Sequence, residues 1–319
     1  MKKELNFDVL WAEWLPIALF VFIFLMFVTV PGIMSFFYPE PPAATWEAAR
    51  QFNEPVHPKR DEVLAEKFSS RFLPTPAPAQ AFEARGKPLP KRVNSFALPV
   101  LMYHRISDNP DKYNLAVPVN NFREQMDYLR LRGFHTVKLA QLGDYLLENK
   151  PLPPKSVLIT FDDGNQDNLT TALPILAEHG FTAAVFVIGG FVGQSGSVSL
   201  DDIKTLAAAG WDIGNHTFSH PDLAALAQEQ QTLELKQCNA VLEQALPGKS
   251  LIYFAYPCGR YNDNAIRALK SNGFVLAFST NPGWVRPDNN PYAIPRIFIG
   301  PKTTLRQFAA KVTRPFYTH

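Results

Sequence analysis

From Leu98 onward, short runs rich in β-branched and aromatic residues alternate with amphipathic stretches that stop at a glycine. The runs fall at 100–103, 157–161, 183–188, 211–214, 251–256, 274–278 and 294–299. The amphipathic stretches fall at 121–132 before Gly133, 166–179 before Gly180, 200–209 before Gly210 and 262–272 before Gly273. Glycine just past a helix supplies the left-handed residue that ends it. Strands alternating with helices predict a largely parallel α/β sheet, open or closed into a barrel. Seven candidate strands sit near the number at which such a sheet closes.

The chain ahead of this region has a different texture. No charged residue occurs from Trp14 to Pro39, a length that spans the ~30 Å hydrocarbon core as a helix. A cleaved signal peptide would carry an apolar region of only about 7–15 residues, ending in a small-residue site. Here the run ends in Ser35-Phe36-Phe37-Tyr38, aromatic residues suited to a membrane interface. The expectation is therefore a single-pass membrane anchor over 1–37. Lys2 and Lys3 point to an N-terminus left inside, although Glu4, Asp8 and Glu13 thin that bias. Between Tyr38 and Pro99 lie 11 of the 28 prolines, each fixing φ and removing a donor. Residues 38–97 thus read as a semi-extended spacer holding a domain over 98–319 outside the cytoplasm. A net charge of +2 offers no field for nucleic acid. Cys238 and Cys258 leave two readings open, a single disulfide or two small buried side chains.

Polar residues gather where the strands end. Asp162-Asp163-Gly164 follows 157–161, His216 follows 211–214, Pro257-Cys258-Gly259 follows 251–256, and His104 follows 100–103. In parallel α/β architectures those ends share one side, where active sites assemble. Asp-Asp-Gly alone also makes an ordinary turn. His216 and His220, at i and i+4, are expected on one face of a helical turn, close enough to share a metal. With one carboxylate they complete a 2-His-1-carboxylate site that leaves positions for water and substrate. Successive residues at a strand end point apart, so one aspartate can ligate while its neighbour acts as general base. A bound cation lowers the pKa of water toward ~7, within reach of a carboxylate base. Cleaving an amide also needs an acid for the departing nitrogen, and histidine suits that near neutral pH.

Thr160-Phe161-Asp162-Asp163-Gly164 and the His216–His220 pair resemble the first two motifs of the polysaccharide deacetylases, carbohydrate esterase family 4. The resemblance covers about 98–300 and implies a distorted (β/α)7 barrel. It implies Asp162 as catalytic base, Asp163 as the metal-binding carboxylate and His216 and His220 as the other ligands, with zinc as the cation. Residues 254–262 resemble the third motif, which lines the groove and offers a backbone N–H to the oxyanion; that assigns Tyr256, Pro257 and Cys258 to substrate. Many members carry an arginine where Ala255 stands, and that arginine orients the base. Arg296 is a candidate replacement, a structural role at a buried edge being the other reading. Many members also place the general acid late in the chain, yet only His319 follows His220. His104, in Leu101-Met102-Tyr103-His104-Arg105-Ile106, is the alternative. It is similar to the poly-β-1,6-N-acetylglucosamine deacetylase branch, where this motif comes early, as if circularly permuted.

The expected function is therefore metal-dependent removal of N-acetyl groups from an N-acetylhexosamine polysaccharide (poly-N-acetylglucosamine-like, chitin-like or peptidoglycan), releasing acetate. Three rivals stand beside it: an O-acetyl esterase using the same site, a non-catalytic polysaccharide-binding module suggested by Ala255 and Cys258, and a cytosol-facing deacetylase of small molecules. Trp211 and Trp284 are aromatic candidates for sugar stacking, although tryptophan mostly packs. His135 and His179, beside helix-terminal glycines, read as capping or exposed residues, and 228–237 as the solvated face of a helix.

Overall fold

The computed structural model describes residues 97–315. The anchor expected over 1–37, nearly all of the spacer over 38–97, and His319 lie outside the described residues. Among the described residues no helix is long and apolar enough to cross a membrane.

Ten strands occur in chain order: β1 (Val100–Tyr103), β2 (Arg105–Ile106), β3 (Ala116–Val117), β4 (His135–Thr136), β5 (Ser156–Phe161), β6 (Ala184–Val187), β7 (Asp212–Asn215), β8 (Tyr253–Ala255), β9 (Leu276–Pro282) and β10 (Ile294–Phe298). Seven of them form a parallel ring, β1-β10-β9-β8-β7-β6-β5, closed by the pairing of β1 with β5. The expected (β/α)7 barrel is present. The first strand of the ring sits between its second and its last, which places His104 beside Asp162 and Arg296 although they are far apart in sequence. The helices are α1 (Val119–Leu131), α2 (Leu139–Leu147), α3 (Leu173–Glu178), α4 (Leu200–Ala208), α5 (Gln228–Ala245), α6 (Asp263–Ser271) and α7 (Leu305–Thr313).

The period of two along each strand sorts the core. Val100, Leu158, Ala184, Phe186, Ala255, Leu276, Phe278 and Ile294 form one buried cluster, joined by Leu139, Leu142 and Tyr145 of α2. The alternate residues, among them Leu101, Tyr103, Ile159, Phe161, Val185, Val187 and Ile297, pack with α1, α3 and α4 instead. Continuing the first phase toward the C-terminal strand ends reaches His104, Asp162, His216 and Arg296. Side-chain alternation alone thus turns these four groups toward the barrel interior. Gly214 of β7 shares that phase because a Cβ there would stand 2.4 Å from the Phe186 ring. Each fully buried Phe or Leu in these layers contributes about 1.5–3 kcal/mol.

The helix expected over 166–179 runs from 166 to 178, with a π-turn inside it. Asn168–Ala172 form the π-turn and α3 follows from Leu173. Pro174 has no N–H to give the carbonyl four residues back, and the Leu173 N–H reaches Asn168 O instead. Helix α5 runs well beyond the 228–237 segment and buries Gln231, Leu235, Cys238 and Leu242, so that segment is not merely a solvated face.

Candidate active site

Asp162 follows β5 and is 2% exposed, and Arg296 of β10 is fully buried. The two meet in a bidentate pair, Nη1 to Oδ1 at 2.7 Å and Nη2 to Oδ2 at 2.6 Å. Arg296 Nε donates to Ser279 O at 2.9 Å and Nη1 also reaches Thr160 Oγ1 at 3.2 Å, so the guanidinium fork is locked on both sides. Burial alone would raise the Asp162 pKa. The Arg296 charge, His216, the Arg296 hydrogen bonds and His104 together outweigh it and hold the carboxyl well below the usual range. Asp162 is therefore favoured in its carboxylate form, firmly oriented, and a weaker base than a free aspartate. Such a base removes a proton readily only from water already made acidic.

Asp163 turns the other way. It has φ +75° and is followed by Gly164 at +70°, a left-handed pair that swings its carboxylate away from Asp162. Asp163 Oδ1 lies 3.5 Å from His216 Nε2 and 3.7 Å from His220 Nε2. The three ligand atoms all fall within 4.8 Å of one another. The His216 ring donates Nδ1–H to Ala255 O at 2.7 Å, an assignment following from the acceptor being a carbonyl, and this leaves the Nε2 lone pair facing Asp163. One carboxylate oxygen and two imidazole nitrogens fit a divalent cation. Burial lowers the His216 pKa, but Asp163 beside it, then Asp162, raise it further, so the imidazole keeps its proton more readily than usual. Burial and the neighbouring His216 lower the pKa of His220. A metal ion would displace the His216 proton, since imidazole must be neutral to ligate.

The two histidines do not sit on a helical turn as expected. Thr217 and His220 are left-handed, with φ of +66° and +60°, and the segment is an irregular loop. Such conformations cost about 1–3 kcal/mol each and persist only where surroundings over-determine them. Here Asn215 Oδ1 accepts the Thr217 N–H at 2.8 Å, and Gly189 N–H donates to Thr217 O at 3.0 Å. Asn215 is itself fixed by Asn239 Oδ1 at 2.7 Å and Leu235 O at 2.9 Å on α5. His216→Ala is expected to abolish retention of a divalent ion while the domain stays folded, measured as metal content after dialysis; full metal content would refute the ligand set.

His104 follows β1, close enough to both aspartates to act on them electrostatically. Its carbonyl accepts from Asn168 Nδ2 at 2.9 Å, so the π-turn caused by Pro174 fixes the end of β1. Its Nδ1 is buried and meets no hydrogen-bond partner among the described residues. Its ring stands 6.2 Å from that of Phe298, which is 41% exposed at the mouth. Phe298 is an aromatic wall that the sequence reading passed over. Trp211 is buried and stacks on Phe161, and Trp284 donates its indole N–H to Lys311 O, so both are packing residues.

Of the three groove residues, Tyr256 spends its N–H on Phe278 O at 2.9 Å, and Pro257 has none to give. Cys258 is left to offer an amide; it is exposed and left-handed at φ +53°. Tyr256 is buried, its hydroxyl donating to Tyr292 O, which makes it a support for the groove rather than its surface. No disulfide joins the cysteines. Cys238 is buried, and burial pushes its thiol up to about 12, so it is inert. His135 is exposed and bonded to Pro154 O, while His179 is buried against Asp127, a structural pair joining α3 to α1.

A sequence model of the polysaccharide deacetylase family matches residues 149–277, a stretch that holds Asp162, Asp163, His216, His220 and Cys258 but neither His104 nor Arg296. The Bacillus subtilis protein YxkH, whose name assigns it to the polysaccharide deacetylases, is 32% identical over 215 residues, 67% of this chain and 76% of its own length. A poly-beta-1,6-N-acetyl-D-glucosamine N-deacetylase of Staphylococcus aureus is 29% identical over 230 residues, 62% of this chain and 77% of its own. Among solved structures, the Streptococcus pyogenes deacetylase PplD in complex with acetate superposes with a TM-score of 0.64 at 28% identity, covering 68% of this chain and 98% of that one.

Proposed function

The chain belongs to the polysaccharide deacetylase family, and from that premise we propose that it is a metal-dependent N-deacetylase of an N-acetylhexosamine polymer, with poly-β-1,6-N-acetylglucosamine as its substrate. The observation that carries this is the convergence of Asp163, His216 and His220 beside an Asp162 that Arg296 holds ionised. Two nitrogens and one oxygen suit zinc and leave positions for water and the acetyl oxygen. A divalent cation there supplies Lewis-acid polarisation and acidification of water. The chain does the rest. Asp162 takes the proton of the attacking water as that water adds to the acetyl carbon. The Cys258 N–H faces the oxygen on which negative charge develops. His104 gives a proton to the glucosamine nitrogen as the C–N bond breaks, releasing acetate and a free amine. The relative of Staphylococcus aureus named for poly-beta-1,6-N-acetyl-D-glucosamine and the early position of His104 support that polymer. The uncharged run from Trp14 to Pro39 supports a membrane-anchored placement with this domain outside the cytoplasm.

One observation favours O-acetyl esters as a second reading. No carboxylate backs His104 Nδ1 among the described residues, and an alcohol departs with less help from an acid than an amine does. Acetate release from N- and O-acetylated oligosaccharides separates the two. The expected result is turnover of the N-acetylated polymer, reduced about 100-fold or more by His104→Ala, with a much smaller loss on any ester. Release from the O-acetylated substrate alone would overturn the N-deacetylase reading.

A further inference from the structure

The loop carrying both histidines is held from outside by one side chain that neither motif contains. Glu234, on α5, accepts the Phe218 N–H at 2.9 Å and the Ser219 N–H at 2.8 Å on a single carboxylate oxygen, Oε2. Its Oε1 accepts the Ser219 hydroxyl at 2.7 Å. The two amides lie in sequence between His216 and His220, so the carboxylate grips the middle of the segment whose ends present the two imidazoles. That segment needs a grip, because Thr217 and His220 stand in left-handed conformations that no glycine relieves. Two further contacts hold it: Gly190 N–H donates to Phe218 O at 2.8 Å, and His220 N–H to Thr217 Oγ1 at 3.0 Å. Glu234 adds a charged acceptor to these contacts, and a charged acceptor makes the stronger kind of hydrogen bond.

We infer that Glu234 is a positioning residue for the metal site: it sets the spacing of the His216 and His220 nitrogens before a cation arrives. It touches neither substrate nor ligand atoms, and works through the backbone of Phe218 and Ser219. Partly exposed and outside every motif, it looks like ordinary helix-surface charge in the sequence. An amide in its place cannot accept three hydrogens in the same geometry, since one of its two termini is itself a donor.

This inference rests on the proposed metal site, and the test keeps the two apart. Metal-stripped parent, Glu234→Gln and Ser219→Ala proteins are titrated with Zn²⁺ against a chromophoric chelator, and their Co²⁺ absorption spectra are compared. Glu234→Gln is expected to bind Zn²⁺ about 10- to 100-fold more weakly, as loss of an outer partner does. Its Co²⁺ bands should shift, and excess Zn²⁺ should restore much of its activity. Ser219→Ala, which deletes one of the three bonds at an exposed position, is expected to lose a few-fold, and it decides the matter if Glu234→Gln does not fold. Zinc affinity and Co²⁺ bands equal to the parent's would overturn the role of Glu234. A parent that binds neither ion would overturn the metal site itself.

Discussion

Replacing Asp162 by asparagine is expected to lower acetate release by about a thousand-fold or more while the protein keeps its metal. General-base catalysis is worth roughly 10²–10⁴-fold, and the amide cannot take a proton from water at all. Asp162 is turned toward Arg296, whereas Asp163 faces the two histidines, so the substitution removes the base and spares the ligand set. The measurement is a paired one, turnover and bound metal on the same preparation. Loss of metal with Asp162→Asn would exchange the roles of the two aspartates.

The second large effect is on stability. Arg296→Met leaves the Asp162 carboxylate buried with its guanidinium partner gone. Breaking a buried pair in this way costs about 3–5 kcal/mol. For a domain of this size that corresponds to a fall of about 6–20 °C in Tm. The burial that already works to raise the Asp162 pKa would then act with its largest opponent gone. Adding Asp162→Leu to Arg296→Met should recover part of the loss, because the second change removes the stranded charge. A single variant within about 1 kcal/mol of the parent in urea denaturation would show that the pair does not hold the barrel interior together.

Much of this was readable before any coordinates. Short β-branched and aromatic runs and glycines past helices marked the seven ring strands and several of the helices, because both signals are local. The site's composition was legible as well, since parallel strands deliver their C-terminal residues to one side and the first two motifs fall on such ends. What escaped depended on tertiary neighbours. Arg296 could be offered as a partner for the base, but only the ring order, with β10 next to β1 and β1 next to β5, brings its fork to Asp162. The i, i+4 spacing of His216 and His220 suggested a helical turn. A loop with two left-handed residues gives the same convergence, and sequence spacing cannot tell the two apart. The helix over 166–179 was legible, but the π-turn within it, whose Asn168 holds the His104 carbonyl, needed the packed structure. Glu234 carried no signal at all, because a glutamate on a helix surface is the commonest thing in a protein.

The measurement that bears most directly on the site is a zinc titration of chelator-stripped protein, with acetate release from N-acetylated poly-β-1,6-glucosamine oligosaccharides followed at each addition. The expected result is no release from the stripped protein and recovery in proportion to added Zn²⁺, complete at one ion per chain. Undiminished release from protein shown to be free of metal would contradict the assignment of Asp163, His216 and His220.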